Sequence, residues 1–190
     1  QDSGATGDAR ASYVFNSTIE GVERADAILI IGSNPRWEAT VLNARVRKRF
    51  LTGQAEIGLI GPQVDLTYDY KHLGNSPKLI DDLLSGKNKF STTLKKARFP
   101  MLILGSGALA RDDGAAILNK ARLLSERFQM LKTDWNGFNV LQRAASRVGG
   151  LDLGFRPKKK SDLGTSKILN AAKSDRFDLV YLLGADEINM

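Results

Sequence analysis

The segment Ala25-Asp26-Ala27-Ile28-Leu29-Ile30-Ile31-Gly32-Ser33-Asn34-Pro35-Arg36 joins an uninterrupted apolar run to a glycine turn and then to a helical pattern. An apolar run without polar alternation is typical of a strand that is buried on both faces of a parallel sheet. In open α/β sheets, ligands bind beyond the carboxyl ends of such strands. We therefore predict a buried strand over 26–31 and a loop after it, in the position of a ligand-binding loop.

Similar runs alternate with helical patterns along the chain. Four predicted strands cover 26–31, 56–60, 101–104 and 178–183, and they are followed by Gly32, Gly61, Gly105 and Gly184. Apolar residues spaced three and four apart predict helices over 76–86, 112–128, 136–148 and 166–172, with a weaker strand at 128–131. Such alternation is typical of parallel sheets. We predict an α/β, Rossmann-like domain with a mostly parallel sheet and flanking helices.

The domain organisation follows from the same pattern. We expect residues 1–190 to form a single α/β domain that is a fragment of a larger subunit or one piece of a split subunit. A parallel strand normally leads into a covering helix, and only six residues follow Gly184, so we expect the domain to be incomplete at its C-terminal end. The basic segment 156–165 is expected to be an exposed loop.

The composition excludes several kinds of chemistry. The chain has no cysteine, which excludes disulfides, thiolate-held zinc, iron–sulfur ligation and a cysteine nucleophile. His72 is the one histidine, so few imidazole groups are available for a metal site or for a Ser-His-Asp triad. We therefore assign no metal ligand. No apolar run approaches the roughly 20 residues that span a bilayer, so we expect no direct membrane insertion.

The net charge of +7 is concentrated in three basic clusters, at 45–49, 95–98 and 157–160. Solvated helix faces and a basic loop account for them, with an acidic protein or lipid as the next alternative. Aromatic residues are not interleaved with these clusters, so we expect no nucleic-acid partner.

The loop Gly32-Ser33-Asn34-Pro35 is the strongest candidate for a binding site. Backbone amides that follow a strand can hold a phosphate, and Arg36 could add positive charge. The sequence Gly105-Ser106-Gly107-Ala108-Leu109-Ala110 comes closest to a dinucleotide fingerprint, but an alanine replaces the third glycine. A tight turn is the alternative for both loops.

Two pairs of adjacent carboxylates, Asp81-Asp82 and Asp112-Asp113, are possible acid–base groups. Neighbouring helical side chains diverge by about 100°. We therefore interpret both pairs as favourable charge at helix N-termini and predict no catalytic residue.

Motifs spread over nearly the whole chain resemble one known family. They include Gly32-Ser33-Asn34-Pro35-Arg36, His72-Leu73-Gly74 and Asp134-Trp135-Asn136-Gly137. Matching segments occur in order at 13–23, 25–39, 42–48, 59–62, 65–68, 72–74, 113–118, 134–137 and 151–154. Together they resemble the C-terminal, molybdopterin-oxidoreductase-like part of the large iron–sulfur subunit of respiratory complex I, called the 75 kDa subunit in mitochondria and the G subunit in bacteria.

The resemblance implies a fold like that of molybdopterin-guanine-dinucleotide oxidoreductases, in which a Gly-x-Asn-Pro loop helps to bind the cofactor. It implies that the complex I subunit holds no molybdenum and that iron–sulfur clusters lie in its N-terminal part or in a partner chain. In place of the His-Pro pair common in the molybdenum enzymes, this chain has Arg36-Trp37-Glu38. We therefore expect Gly32, Ser33, Asn34 and Pro35 to form a vestigial loop, with no cofactor bound.

The preferred function is a non-redox structural domain in the peripheral arm of NADH:quinone oxidoreductase, supporting NADH-to-quinone electron transfer. Its expected partners are other peripheral-arm subunits and the cluster-bearing part of the same subunit. Its expected location is the matrix side of the mitochondrial inner membrane, or the cytoplasmic side of a bacterial inner membrane. Interface candidates are Trp37, Tyr68, Tyr70, His72 and the basic helix 36–49. The alternatives are a cofactor-binding piece of a molybdopterin-dependent oxidoreductase and an independent nucleotide-binding module.

Overall fold

The sheet at the centre of the domain has five parallel strands. The computed structural model describes residues 9–155 and 164–184. Its strands are β1 (Ala27–Ile31), β2 (Glu56–Ile60), β3 (Lys71–Gly74), β4 (Pro100–Gly105), β5 (Leu131–Lys132), β6 (Trp135–Asn136) and β7 (Phe138–Leu141). The large sheet has the order β3-β2-β1-β4-β7, and β5 and β6 form a short antiparallel pair.

Helices connect and cover these strands. The α-helices are α1 (Thr18–Gly21), α2 (Pro35–Glu38), α3 (Thr40–Leu51), α4 (Lys78–Ser85), α5 (Phe90–Lys96), α6 (Ser106–Leu109), α7 (Gly114–Arg127), α8 (Ala145–Asp152) and α9 (Thr165–Lys173). Short 3-10 helices occur at Arg10–Ser12 and Val22–Arg24.

Strand β1 divides the core into two layers. All five of its residues are buried, and their side chains alternate between the faces of the sheet. Leu29 belongs to the cluster that includes Ile80 of α4 and Leu124 of α7, whereas Ile30 belongs to the cluster that includes Val46 of α3. The continuous apolar run is therefore required because helices cover both faces of the sheet.

The order of the strands creates a switch point beside β1. The chain proceeds from β1 to β2 and β3 on one side, and then returns to place β4 on the other side of β1. In this arrangement, the connections after β1 and β4 lead to helices on opposite faces of the sheet, and the carboxyl edge at this point is the usual place for a ligand site. The loop at 32–34 thus lies where the sequence predicts a ligand-binding loop.

The structure confirms most of the predicted elements. The predicted strands at 26–31, 56–60 and 101–104 correspond to β1, β2 and β4. The predicted helices at 76–86, 112–128 and 166–172 correspond to α4, α7 and α9. Gly86 ends α4 in a left-handed conformation at φ 80°, as its position after the last apolar residue predicts.

The predicted helix over 136–148 is wrong in its first half. Residues Phe138–Leu141 form β7, which pairs with β4, and α8 begins only at Ala145. An apolar run of four residues fits a strand or a helical turn equally well, and here the pairing with β4 decides. The weak strand predicted at 128–131 is also displaced, because Phe128 caps α7 and β5 begins at Leu131.

The predicted strand at 178–183 is wrong, since this segment belongs to no strand. Leu179, Tyr181 and Leu183 are each at least 80% exposed. The outer edge of β7 is already covered by the N-terminal segment, where Val140 N–H donates to the Val14 carbonyl at 3.1 Å and Phe15 forms a bridge with Asn139.

The loop predicted at 156–165 falls mainly outside the described residues, at 156–163. Its last residue, Thr165, is the first residue of α9.

Candidate functional site

A cavity of about 340 Å³ lies at the carboxyl edge of the sheet, beneath the loop that follows β1. The loops after β1, β2 and β4 contribute to its wall, together with α4 and α7. Most of this wall is apolar and includes Ile31, Ile60, Val64, Ile80, Ala108 and Ile117. Its polar side chains include Asn34, Glu38 and Arg111.

The glycines beside the cavity pack two loops against each other. Gly32 has φ +62°, and a Cβ placed on it would lie 2.5 Å from the Cβ of Ala108. A Cβ on Gly105 would lie 2.4 Å from the Gly32 carbonyl oxygen, and one on Gly107 would lie 2.8 Å from the same atom. These three glycines are therefore explained by contacts within the chain, with no ligand required.

Glu38 occupies two hydrogen-bond donors of the loop. Its carboxylate accepts a hydrogen bond from the Asn34 backbone N–H at 2.8 Å and one from the Ser33 hydroxyl at 3.2 Å. Pro35, the first residue of α2, has no N–H to offer. The Asn34 N–H and the Ser33 hydroxyl, two of the donors that could meet a phosphate, are thus already bound to a negative charge of the same chain.

The cations near the loop are also neutralised locally. Arg111 donates to Asp113 through Nε at 2.6 Å and through Nη2 at 3.0 Å. These hydrogen bonds hold the pKa of Asp113 below its usual range. Arg36 forms an ion pair with Asp65, whose pKa is lowered by the Thr67 backbone N–H and then by Arg36.

Within the described residues, one polar atom of the cavity wall lacks a partner. The side-chain oxygen Oδ1 of Asn34 is buried and accepts no hydrogen bond there. A buried acceptor without a donor costs about 1–3 kcal/mol, and a donor in the cavity reaches this oxygen only when the carboxamide turns about its terminal torsion.

Together, these contacts do not fit the diphosphate of a dinucleotide cofactor. A diphosphate needs free N–H donors and positive charge, whereas this loop presents the Glu38 carboxylate in their place. The closest match to a dinucleotide fingerprint lies at 105–110. This segment contains the last residue of β4 and the short helix α6, and it packs against Gly32.

One carboxylate of each predicted pair, Asp81 or Asp113, forms an ion pair within the chain. Asp81 on α4 forms an ion pair with Lys120 on α7 at 2.7 Å. Asp112 and Asp113 precede α7, and Asp113 pairs with Arg111 as described above. No group of three or more His, Asp or Glu side chains suited to a metal ion occurs within 9–155 and 164–184.

The aromatic interface candidates have different environments. Tyr68 is buried, its hydroxyl donates to Asn43 Oδ1 at 2.8 Å, and burial raises its pKa, so this tyrosine is a core residue that no partner can reach. Tyr70 is half-buried and donates to the Val64 carbonyl at 2.6 Å. His72 is exposed, and its Nε2–H donates to the Gly61 carbonyl at 2.8 Å, which ties β3 to the end of β2.

The basic helix 36–49 is largely engaged within the chain. Lys48 and Arg45 both pair with Glu23 and lower its pKa. Arg49 Nε donates to the Ala25 carbonyl at 2.7 Å, and Arg47 Nε donates to the Thr67 carbonyl at 3.2 Å. These bonds attach α3 to neighbouring segments, but Arg47 and Arg49 donate to neutral carbonyl groups, so their positive charge stays available to a partner.

Trp37 is the most exposed aromatic side chain among the interface candidates. Its side chain is 79% exposed, and Val41 one turn later is 63% exposed. They border an apolar groove of about 560 Å³, which we call the Trp37 groove, between the start of α3 and the start of α8. Its wall includes Phe15, Ile19, Leu141 and Val148. Sequence reasoning found Trp37 but missed the groove, because residues far apart in the chain form it.

Comparison with known proteins decides the family. The sequence pattern of the molybdopterin oxidoreductases matches residues 1–190, the whole length of the chain. The chain belongs to the molybdopterin oxidoreductase family. The α/β fold and the resemblance seen in the sequence motifs are thereby confirmed.

Individual relatives are subunits of NADH-oxidising enzymes. The chain is 38% identical over 183 residues to the mitochondrial NADH dehydrogenase [ubiquinone] iron-sulfur protein 1 of Solanum tuberosum. It is 40% identical over 179 residues to the G subunit of NADH-quinone oxidoreductase from Rickettsia prowazekii, and 41% identical to the G subunit from Rickettsia typhi. These matches cover 94–96% of the chain. The chain spans only about a quarter of the length of these relatives, 23–25%.

Proposed function

We propose that this molybdopterin oxidoreductase domain is a non-redox structural domain in the peripheral arm of NADH:quinone oxidoreductase. The observation that carries the proposal is the similarity, over nearly the whole chain, to iron-sulfur protein 1 and to the G subunit of such enzymes. The domain supports NADH-to-quinone electron transfer without carrying electrons, because a chain without cysteine offers no thiolate ligand to a cluster. The chain 1–190 is then one domain of a larger subunit, or one piece of a split subunit.

The iron–sulfur clusters then belong to another part of the subunit or to a partner chain. One relative is named an iron-sulfur protein, and the matched region is less than a quarter of it. The partners that we propose are the cluster-bearing part of the subunit and other peripheral-arm subunits. The Trp37 groove is the surface best suited to such a contact, since large exposed aromatic side chains beside apolar grooves are common interface anchors.

The proposed location follows from the relatives as well. One relative is mitochondrial and others are bacterial. Within the described ranges, no helix is long and apolar enough to cross a membrane. We propose the matrix side of the mitochondrial inner membrane, or the cytoplasmic side of a bacterial inner membrane, with attachment through partner subunits.

We also propose that Gly32, Ser33, Asn34 and Pro35 form a vestigial cofactor loop. Glu38 accepts the hydrogen bonds that a cofactor phosphate would accept, and Ala108 contacts Gly32 from the neighbouring loop. The loop then serves to turn the chain from β1 into α2 and to pack against the loop after β4.

A second candidate is a cofactor-binding piece of a molybdopterin-dependent oxidoreductase. The cavity at the switch point and the unpartnered Oδ1 of Asn34 favour it. In that case, Glu38 must move away from Asn34 and Ser33 before a diphosphate can bind.

Native purification through a tag on this chain distinguishes the two candidates. We expect mass spectrometry to find other subunits of NADH:quinone oxidoreductase and metal analysis to find iron without molybdenum. Recovery of molybdenum and a fluorescent oxidised pterin would contradict the structural proposal and support the second candidate. Recovery of the chain with neither such a subunit nor molybdenum would contradict both.

Variants of the Trp37 groove test the proposed contact surface in the same purification. We expect Trp37→Ala to reduce recovery of the partner subunits at equal expression of the tagged chain. Leu51→Ala is the matched control, because Leu51 is also exposed, at 62%, but lies at the far end of α3. Equal recovery with both variants would exclude the Trp37 groove as the contact surface.

A further inference from the structure

We propose that the cavity beneath the Gly32 loop is a binding site for a small, uncharged molecule that carries an N–H donor. The inference goes beyond the proposed structural role and does not depend on it. The size of the cavity, the chemistry of its wall and the charge of Glu38 each support it.

The size and wall of the cavity suit a ring-sized, mostly apolar molecule. Its volume of about 340 Å³ falls in the range of small-molecule sites, which are usually apolar with a few polar groups. The wall includes Val64, which is half-buried, and the core side chains Ile31, Ile60, Ile80 and Ile117, which are almost fully buried. Contact with this wall removes apolar area of the ligand from water.

The unpartnered carboxamide of Asn34 supplies the specificity for a donor. Its Oδ1 is buried and unbonded among the described residues, and Asn34 belongs to the cavity wall. The terminal torsion of an asparagine side chain is soft, so the carboxamide can turn toward a ligand. An N–H group of the ligand would then satisfy an acceptor whose burial is otherwise unfavourable.

Glu38 determines the charge that the site accepts. Its carboxylate belongs to the cavity wall and is held in place by the Asn34 N–H and the Ser33 hydroxyl. Arg111, the one cation among the described residues of the wall, is paired with Asp113 and does not offset this charge. The site therefore rejects anions, including phosphates and nucleotides, because the repulsion acts in a partly desolvated cavity.

Three matched probes test the proposal on the full chain. Indole is uncharged and carries an N–H, 1-methylindole lacks the donor, and indole-3-carboxylate adds a negative charge. Dissociation constants come from NMR titrations that follow the backbone amides of Asn34 and Gly61. We expect indole to bind about tenfold more tightly than either analogue, which is the change that one hydrogen bond or one local repulsion produces.

Three variants assign the selectivity to residues. Glu38→Gln keeps the acceptor for the Asn34 N–H but removes the charge, so we expect indole-3-carboxylate to gain about tenfold while indole stays within about twofold. Asn34→Ala should weaken the binding of indole until its dissociation constant equals that of 1-methylindole. Val64→Phe should fill part of the cavity and abolish binding of all three probes. Glu126→Gln, an exposed glutamate of α7, is the charge control and should change nothing.

Each contrary result overturns a stated part of the proposal. Equal binding of indole and 1-methylindole would exclude Asn34 as a ligand acceptor. Tighter binding of indole-3-carboxylate or inorganic pyrophosphate to the unaltered chain would show an anion site and exclude the role of Glu38. No binding of indole, or binding that persists in Val64→Phe, would exclude the cavity as the site. None of these results depends on which subunits co-purify with the chain.

Discussion

Gly32 and Ala108 lie so close together that a single added methyl group would not fit between their loops. A Cβ on Gly32 would be 2.5 Å from the Ala108 Cβ and 2.7 Å from the Ala108 backbone nitrogen. Gly32 also has φ +62°, a backbone conformation that side chains disfavour. The contact joins the loops after β1 and β4 at the switch point of the sheet and closes one side of the cavity.

Gly32→Ala is therefore expected to destabilise the fold by about 2–5 kcal/mol, the sum of left-handed strain and overpacking. Gly53→Ala is the matched control, because Gly53 has φ +68° and nothing within 4 Å of its added Cβ. Gly53→Ala should lower the free energy of unfolding by only about 1–2 kcal/mol. Urea denaturation measures this free energy for both variants. Equal losses would show that the contact with Ala108 contributes nothing.

Asp26 fastens the segment before β4 to the start of β1. Its carboxylate accepts the backbone N–H of Arg98 at 2.7 Å and that of Phe99 at 2.8 Å. We expect Asp26→Ala to lower the free energy of unfolding by about 1–3 kcal/mol, because two N–H groups lose a charged acceptor. Asp69→Ala, at an exposed position, should stay within about 0.5 kcal/mol in the same denaturation experiment. A loss at Asp26 no larger than this would contradict the assignment.

Acidification should release α8 from the N-terminal segment. Asp152 at the end of α8 accepts hydrogen bonds from Arg10 at 3.0 Å and from the Tyr13 hydroxyl at 2.8 Å. Arg10 first, and then Tyr13, lowers the pKa of this carboxyl group in the folded state. Because the folded pKa lies below the unfolded value of about 3.9, the contribution is fully present above about pH 5, declines below that pH and is lost as the pH falls through the folded pKa.

Hydrogen exchange of the α8 amides, measured from pH 6 down to pH 3 and corrected for the intrinsic rate, checks this pH dependence. We expect protection of α8 to fall on acidification in the unaltered chain and to be low and nearly independent of pH in Asp152→Asn. Protection of α7 is the internal control, since α7 makes no contact with Asp152 among the hydrogen bonds described above. An α8 that stays equally protected in both proteins would contradict the proposed attachment.

The two tryptophans should behave oppositely when replaced. Trp37 is 79% exposed, whereas Trp135 is 4% exposed and its Nε1–H donates to the Pro100 carbonyl at 2.8 Å. We expect Trp37→Phe to leave stability within about 0.5 kcal/mol and to remove most iodide quenching of fluorescence. Trp135→Phe should cost about 2–4 kcal/mol, through a lost hydrogen bond and a cavity beside Phe99. A destabilised Trp37→Phe would show that this side chain is part of the core.

The position of the candidate site could be predicted from the sequence, but the side chains that contact one another within it could not. The apolar run 26–31 and Gly32 indicate a loop at the carboxyl edge of a parallel sheet, and the structure has it there. The role of Glu38 was missed, although a glutamate in the first turn of a predicted helix is a recognisable capping signal. The contact between Gly32 and Ala108 carries no such signal, because 76 residues separate them in the sequence.

The failures of the predicted secondary structure have a related cause. The segment 138–141 is a strand because β4 offers it an edge, whereas 178–183 pairs with no strand, and Val14 and Phe15 lie along the edge of β7. Apolar periodicity reports which faces of a segment are buried, but a strand also needs a partner. The availability of that partner is a property of the assembled sheet.

The sequence by itself determined the alternating α/β pattern, three central strands, the family and the lack of thiol chemistry, since these depend on local burial patterns and residue types. Only the tertiary structure decided that Glu38 accepts hydrogen bonds from the loop, that Tyr68 lies in the core and that Trp37 borders a groove. Each of these features depends on which distant segments contact one another. Such contacts follow from the packing of the whole domain, which no local stretch of sequence encodes.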